Sequence, residues 1–576
     1  MTTKRGMRKG LTRYGDEEFS LYLRKAFIKS MGLSDDALDR PVVAIANTHS
    51  AYNGCHANAP QLIEAIKRGV MLAGGLPMDF PTISLHESFS YPTSMYLRNL
   101  MSMDTEEMMY ALPMDACILV GGCDKTVPAQ LMAAASADVP AISIVTGPML
   151  SGSHKEQRVG ACTDCRRFWA DYRGGRIDAE EIHEVESRLA PTGGTCGVMG
   201  TASTMACMTE ALGMMLPGGA AIPAVFADRL RHGELAGRRA IELAEEGLTP
   251  SKIMTPNAFE NALRVLLAVG GSTNGIVHMT AVAGRLGIEV DLEAFDRIGA
   301  ETPVLIDLKP TGQYYMDDLY RAGGLGPILR ELKPLLHLDC LTVSGRTLGE
   351  EIDDLPAAYP QDVVRPLSDP IHAGGGIAFL KGNLAGDGAI IKQSAATPEL
   401  LVHSGRAVVF DSLEDLAERI DDPDLNVTKD DVLILRNAGP KGAPGMPEAG
   451  YIPIPKKLAQ QGIKDMVRMS DCRMSGTAFG SIILHASPEA AVGGPLALIE
   501  TGDMVHLNTP ERTLTMDVDD AELARRRAAW TPPETINAER GYRKLHMDHV
   551  TQAGEGADFD FLTKRPYVAK TPGTVS

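Results

Sequence analysis

From about residue 40 the chain alternates short apolar runs with amphipathic segments of helix length, and no other feature limits the possible folds as much. "PVVAIA" precedes "APQLIEAIKRGVMLAGG", "PTISLH" precedes "TSMYLRNLMSM", "DACILVGG" precedes "PAQLMAAASADV", and "AISIVTG" follows. Strand-length apolar runs separated by helices are what parallel βαβ units require, so an α/β domain with a parallel sheet and helices on both faces is expected. More helical sequence continues to about residue 350. After "HAGGGIAFLKGN" the texture changes to short β-type runs, "GIAFLKGN", "RAVVFDS", "DDVLILRNAG" and "DMVHLNTPERTLTMDV", broken by Gly, Pro and Asp. These predict a smaller, β-rich, barrel-like domain. The chain is therefore divided into residues 1–370 and 371–576, with a Pro- and Gly-punctuated tail from about residue 531 that could wrap a neighbour.

Composition removes several function classes. With 576 residues and 44% apolar content the chain can bury a large core. Asp plus Glu outnumber Lys plus Arg by 74 to 56, giving a net charge of −18, and no basic block could track a phosphate backbone. Nucleic acid is excluded as a partner. The longest apolar stretches are interrupted by Gly, Ser, Asn and His, so no membrane span is expected, and the basic N-terminus leads into no apolar signal segment. Nine irregularly spaced cysteines without a secretion signal point to reduced thiols in a cytoplasmic protein.

Ligands of open parallel sheets sit outside the carboxyl ends of the strands. There this sequence places unusual residues: Cys55 after "PVVAIA", Glu87 after "PTISLH", and Cys123, Asp124 and Lys125 after "DACILVGG". "APTGGTCGVMGTASTMACM" adds Cys196 on a Gly/Thr loop opening into a helix, whose N-terminus favours anionic sulfur. Three cysteines on separate Gly-rich loops suit an iron–sulfur cluster better than zinc. Any single cysteine is more often a packing residue, and that reading is kept for Cys117, Cys207, Cys340 and Cys472. The "CTDC" of Cys162 and Cys165 has zinc-like spacing but no second pair, so it is not expected to bind metal. Glu87 and Asp124 are hard oxygen donors suited to Mg²⁺. Lys125 beside them would be an oxygen ligand only as its carbamate; an ordinary salt-bridged Asp-Lys pair is the plain alternative.

In the C-terminal part, "NAGPKGAPGMPEAG" carries Glu448, and "SDCRMSGTAFGSIILHASPEAAVGGP" places Ser475 and Thr477 around a glycine. Tight turns would explain the glycines, and neither loop ends as a phosphate-binding loop does.

Taken in order, "GGCDKTVPAQLMAAAS", "TCGVMGTASTMACMTEALGMMLPG", "AFENALRVLLAVGGSTNGIVH", "GPKGAPGMPEAG" and "SDCRMSGTAFGSIILHASPEAAVGGPLALIETGD" resemble the dihydroxy-acid dehydratase / phosphogluconate dehydratase family over nearly the whole chain. The "SDxRMSGTA" form and the acidic "GADFDFL" resemble its sugar-acid (pentonate) members most. The resemblance implies that Cys55, Cys123 and Cys196 hold a [2Fe–2S] cluster and that Glu87, Asp124, carbamylated Lys125 and Glu448 hold Mg²⁺. It implies Ser475 as the base with Thr477 beside it, and a homodimer or homotetramer. The expected reaction is dehydration of a 2,3-dihydroxy carboxylate, such as a pentonate, to the 2-keto-3-deoxy acid. Two alternatives stand: a branched-chain dihydroxy-acid dehydratase acting on 2,3-dihydroxyisovalerate, and a cluster-binding regulatory protein without turnover. The chain departs from the family at Gly54-Cys55-His56, where Pro-Cys-Asn is usual, and at Cys472, where Ala or Gly is usual.

Overall fold

The computed structural model describes residues 5–534 and 537–563. Four strands, β1 (Val42–Asn47), β2 (Leu76–Pro81), β3 (Ala116–Gly121) and β4 (Ala141–Val145), form a parallel sheet in the order β2-β1-β3-β4. The order reverses between β1 and β3, which opens a crevice at their carboxyl ends. The expected strand "PTISLH" is corrected by this sheet. The second strand is the preceding "LPMDFP", and residues 82–86 form no regular ladder. Two prolines and an aspartate disguise it as a turn, and they are tolerated because β2 lies at the edge of the sheet.

Helices α1 (Ala59–Leu72), α2 (Arg98–Ala111) and α3 (Thr126–Ala137) connect these strands. They are followed by α4 (Thr163–Arg173), α5 (Thr201–Ala211), α6 (Ala227–Glu246), α7 (Pro256–Ala268) and α8 (Asn274–Arg285). Every residue of α3 and of α5 is buried, in keeping with sequences that are small and apolar on all sides. α1 packs on α6, and α2 on α3.

Apart from a short hairpin of Gly152–His154 with Gln157–Val159, the other strands among the described residues close an eight-stranded barrel: β5 (Ala378–Gly382), β6 (Ala385–Ile391), β7 (Val402–Phe410), β8 (Val432–Leu435), β9 (Arg468–Ser470), β10 (Ile482–Ser487), β11 (Met504–Asn508) and β12 (Thr513–Met516), in the order β8-β9-β10-β6-β5-β12-β11-β7. Alternate residues of one strand serve two cores. Leu380, Ile391 and Ile483 fill the barrel, while Phe379, Ile390, Ile482 and Leu484 join the core of the α/β part. At about 1.5–3 kcal/mol for each large buried side chain, this shared core binds the barrel firmly to the sheet and helices.

The described part of the tail packs against its own chain. The helix α9 (Gly541–His549) brings the Tyr542 hydroxyl to the Tyr96 carbonyl at 2.7 Å. The buried Arg98 guanidinium donates to the carbonyls of Gly556 and Ala557, and the buried Arg285 is paired with Asp558 at 2.6 Å. The acidic residues of "GADFDFL" thus include an internal counter-ion.

The Gly- and Pro-rich loop carrying Glu448 is fixed by two buried carboxylates. Glu489 accepts from the amides of Lys441 and Gly442, and Asp471 accepts from those of Ala438 and Ala490. Gly445 passes so close to the Tyr96 backbone, at φ +87°, that no side chain fits. Burial, with Asp471 adding to it, raises the Glu489 pKa from 4.5 to about 7, against the pull of the two amides. The folded chain then holds this proton up to about pH 7, while the unfolded chain loses it near 4.5. Stability therefore falls as pH rises across that window, by roughly 3 kcal/mol in all. Glu489→Gln removes this contribution, so the stability gap between wild type and variant narrows or reverses from pH 4.5 to 7. Denaturant melts at both ends of the window check it; parallel pH profiles would refute it.

Candidate functional site

The loops that follow β1, β3 and β4 are tied to one another. Cys55 lies in a single 3₁₀ turn, Gly54–His56, after β1. Its carbonyl accepts from the Thr146 hydroxyl at the end of β4 (2.7 Å), and the Gly54 carbonyl accepts from the Gly194 amide (3.1 Å). His56 is buried, with Nδ1 on the Thr48 carbonyl (2.9 Å) and Nε2 accepting the Cys123 amide (2.9 Å). Burial lowers its pKa to about 4, so the ring is neutral and can keep that acceptor. The departure from the family pattern at His56 thus acquires a role: it holds the Cys123 loop against the Cys55 loop. Between them, a Cβ on Gly122 would collide with the Thr146 hydroxyl. Cys196 approaches from the other side, where Thr195 bridges Pro148 and its carbonyl accepts from the Met149 amide (2.8 Å). His56→Ala should lower stability by about 1–3 kcal/mol, because the Cys123 amide loses its acceptor inside the protein. Denaturant unfolding measures this, and an unchanged midpoint and slope would contradict the anchoring role.

All nine cysteines are free. Cys55, Cys123 and Cys196 come together: a contact with Cys123 and burial, with the Cys196 charge nearby, raise the Cys55 thiol. Cys117, Cys207, Cys340 and Cys472 are buried, the first three in the main core and Cys472 in a smaller one beside the barrel. "CTDC" is no distant pair. Cys162 caps α4 and stands 3.8 Å, sulfur to sulfur, from Cys196.

The acidic residues converge beside the thiols. Glu87, Asp124 and Glu448 offer oxygens within 4.8 Å of one another. Lys125, fully buried at the N-cap of α3, contacts Asp124 and reaches Glu87 at 3.5 Å and Glu448 at 3.8 Å. Arg473, also buried, pairs with Glu448 at 2.5 Å and Glu87 at 3.3 Å, and donates to the Thr93 hydroxyl at 2.7 Å. Glu87 further accepts from Thr93 at 2.6 Å and from Ser94. Burial works against its charge, but Arg473, Lys125 and these two hydroxyls hold its carboxyl well below the usual range. At Glu448 burial prevails and the pKa rises. Cys123 Sγ lies 3.6 Å from Asp124 Oδ1, so the thiols and the carboxylates share an edge.

Ser475 Oγ and Thr477 Oγ1 are 2.8 Å apart. Their turn is locked against the N-terminal end of α5, where Gly476 packs on Ser272 and Thr201 and Gly200 packs on Thr477. The Thr477 carbonyl accepts from Thr163 of α4 at 3.1 Å. Sequence reasoning assigns no role to Arg473, within "SDCRMSGTAFG", or to Thr93 and Ser94, which open the helix-length segment "TSMYLRNLMSM". Their signal was an arginine two residues before Ser475 and hydroxyls six and seven residues after Glu87.

The description "Dihydroxy-acid/6-phosphogluconate dehydratase" matches as an N-terminal family model over residues 40–351 and as a C-terminal one over residues 362–557. The chain belongs to this family. It is 46% identical to an L-arabinonate dehydratase from Rhizobium leguminosarum bv. trifolii over 95% of each chain. It is 43% identical to a 6-deoxy-6-sulfo-D-gluconate dehydratase from Pseudomonas putida over 97% of each. Identity to a dihydroxy-acid dehydratase from Caldanaerobacter subterraneus subsp. tengcongensis is 40%, over 93% of this chain and 96% of that one. The protein is thus a dehydratase of the dihydroxy-acid/6-phosphogluconate family, and among the described residues no helix is long and apolar enough to cross a membrane.

Proposed function

We propose that the protein dehydrates a sugar acid, a pentonate or related aldonate, to the 2-keto-3-deoxy acid, with Mg²⁺ among Glu87, Asp124, Lys125 and Glu448 and a [2Fe–2S] cluster on Cys55, Cys123 and Cys196. The donor sets suit these groups. Three converging carboxylates are hard oxygen ligands, and Lys125 and Arg473 offset their mutual repulsion. The three neighbouring free thiols are soft ligands on loops braced by hydrogen bonds. When bound, the two groups supply Lewis acidity for the substrate carboxylate and for the departing C3 hydroxyl.

The chain's own residues do the rest. Ser475 Oγ accepts the C2 proton, and Thr477 at 2.8 Å supports the negative oxygen that this role requires. Arg473, Thr93 and Ser94 hold Glu87 ionised and line the site with polar groups. The C3 hydroxide leaves, and the enol tautomerises to the keto acid. Residues 1–370 act as the unit bearing the thiols and most of the carboxylates, and residues 371–576 contribute Glu448 and Ser475. The free thiols are in keeping with a cytoplasmic location, and the exposed aromatic residues Tyr22 and Phe27 with assembly into a homodimer or homotetramer.

The polar wall carries the choice of substrate, because such groups lose their partners when an apolar side chain enters. Comparing kcat/KM for arabinonate, xylonate, gluconate, glycerate and 2,3-dihydroxyisovalerate tests it. A sugar acid should lead by more than about tenfold, well inside the 10⁴–10⁵ that a hydrogen-bonding pocket can reach. A lead for 2,3-dihydroxyisovalerate would favour the branched-chain reading, which the 40% identity to a dihydroxy-acid dehydratase keeps in view. No turnover of any of the five would favour a regulatory protein.

A further inference from the structure

Three sulfurs stand in sequence at the edge of the site: Cys196, then Cys162 at 3.8 Å, then Cys165 in contact with Cys162. All three are free and only partly buried, so a small oxidant can reach them. The two residues between the pair fix its position. Asp164, buried, accepts from the Gly160 amide (2.9 Å), the Tyr315 hydroxyl (2.9 Å) and Lys309 (2.9 Å), and Thr163 donates to the Thr477 carbonyl (3.1 Å). Cys162 at the N-cap and Cys165 in the first turn of α4 have the three-residue spacing that places helical Cα atoms about 5–6 Å apart, within the span of a disulfide. Sulfurs 3.8 Å apart need side-chain movements of less than about 2 Å to bond. Thiols serving only as packing would sit among apolar groups, as Cys117 and Cys207 do, whereas the Cys162 sulfur has the Arg166 guanidinium and the His86 ring nearby.

We propose that Cys162 and Cys165 are a redox-active dithiol that removes oxidation from Cys196 and leaves it as a thiol. Hydrogen peroxide oxidises Cys196 to a sulfenic acid, and one water leaves. The Cys162 sulfur attacks that sulfenic sulfur, forming a Cys162–Cys196 disulfide and releasing the second water. Cys165 then attacks the Cys162 sulfur, which frees Cys196 and leaves a Cys162–Cys165 disulfide. One peroxide is reduced to two waters by the two electrons of the pair, and a cellular dithiol reductant restores it. The sulfur chemistry stands on the geometry alone. Its benefit, keeping a cluster ligand usable, rests on the function proposed above.

The test treats the holoenzyme with a few equivalents of hydrogen peroxide, alkylates the remaining thiols and maps the peptides by mass spectrometry. Wild type should accumulate the Cys162–Cys165 disulfide with Cys196 alkylated. Cys165→Ser should stop at the Cys162–Cys196 disulfide, and before oxidation it should turn over as wild type does. Cys162→Ser should carry severalfold more sulfinic and sulfonic acid at Cys196. Absence of the Cys162–Cys165 disulfide in wild type, or equal over-oxidation of Cys196 in wild type and Cys162→Ser, would overturn the proposal. The cluster assignment is read separately. Cys196→Ser should lose the visible iron–sulfur absorption that Cys162→Ser and Cys340→Ser keep, and its retention in Cys196→Ser would refute that ligand without altering the disulfide map.

Discussion

Exchanging Ser475 for alanine should lower kcat by roughly 10²–10⁴-fold, the usual worth of the positioned general base that it is proposed to be. The side chain is partly exposed, and it bonds to the hydroxyl and the amide of Thr477 two residues on, so its removal disturbs one turn and takes away no carboxylate or thiol. Melting temperature, iron content and Mg²⁺ content should match those of wild type, and KM should change little beside kcat. Thr477→Val should cost less, since it removes the support of the base but keeps the base. Near-normal turnover in Ser475→Ala would assign proton abstraction to another group.

On the function proposed above, Lys125→Ala should lower kcat by about 10³-fold or more, because it would remove a ligand from a metal site whose charge stabilisation is worth several kcal/mol. The Lys125 ammonium is enclosed by Asp124, Glu87 and Glu448, and as a cation it would repel a dication held by the same carboxylates. The conflict ends if the neutral amine adds CO₂ and releases a proton, since the product is an anionic oxygen donor. In ¹³CO₂-equilibrated, Mg²⁺-loaded protein a carbamate carbon signal should be present in wild type and missing from Lys125→Ala. Its absence from wild type, or full activity of the variant, would defeat the assignment. The visible iron–sulfur absorption should survive in Lys125→Ala, because the partners of the lysine are the carboxylates of Asp124, Glu87 and Glu448.

The parts of this architecture that were legible from sequence are those with strong periodicity. β1, β3 and β4 are runs of Val, Ile, Leu and Ala buried on both faces, and they emerge where "PVVAIA", "DACILVGG" and "AISIVTG" place them. β2 was hidden because an edge strand tolerates prolines that a central strand does not. In the barrel, β6, β9 and β10 were missed: β6 opens with Ala, Gly, Asp and Gly, β9 is only three residues long, and β10 follows directly on the Gly- and Ser-rich stretch around Ser475. Glu87, Asp124 and Glu448 were each visible as carboxylates in unusual loops, and the structure brings them together. Their compensation by Arg473 was not visible, because an arginine that reaches across the molecule to Glu87 leaves no local pattern. The same holds for His56, whose bond to the Cys123 amide spans two loops, and for Cys162, whose zinc-like spacing to Cys165 gave no sign that Cys196 stands beside it in space.

The seam between sheet and barrel has a consequence for how the protein is made. Glu87, Cys123, Asp124 and Cys196 lie early in the chain, whereas Glu448, Arg473 and Ser475 arrive only with the barrel, and Asp558 closes onto Arg285 near the end of the described residues. At the ribosome's pace of about 5–20 residues per second, the sulfur-bearing loops spend tens of seconds outside the exit tunnel before the surface that covers them exists. A nascent chain can therefore present its thiols to an iron donor, or to damage, well before it can carry out any dehydration. Catalytic competence is among the last properties that translation confers on it.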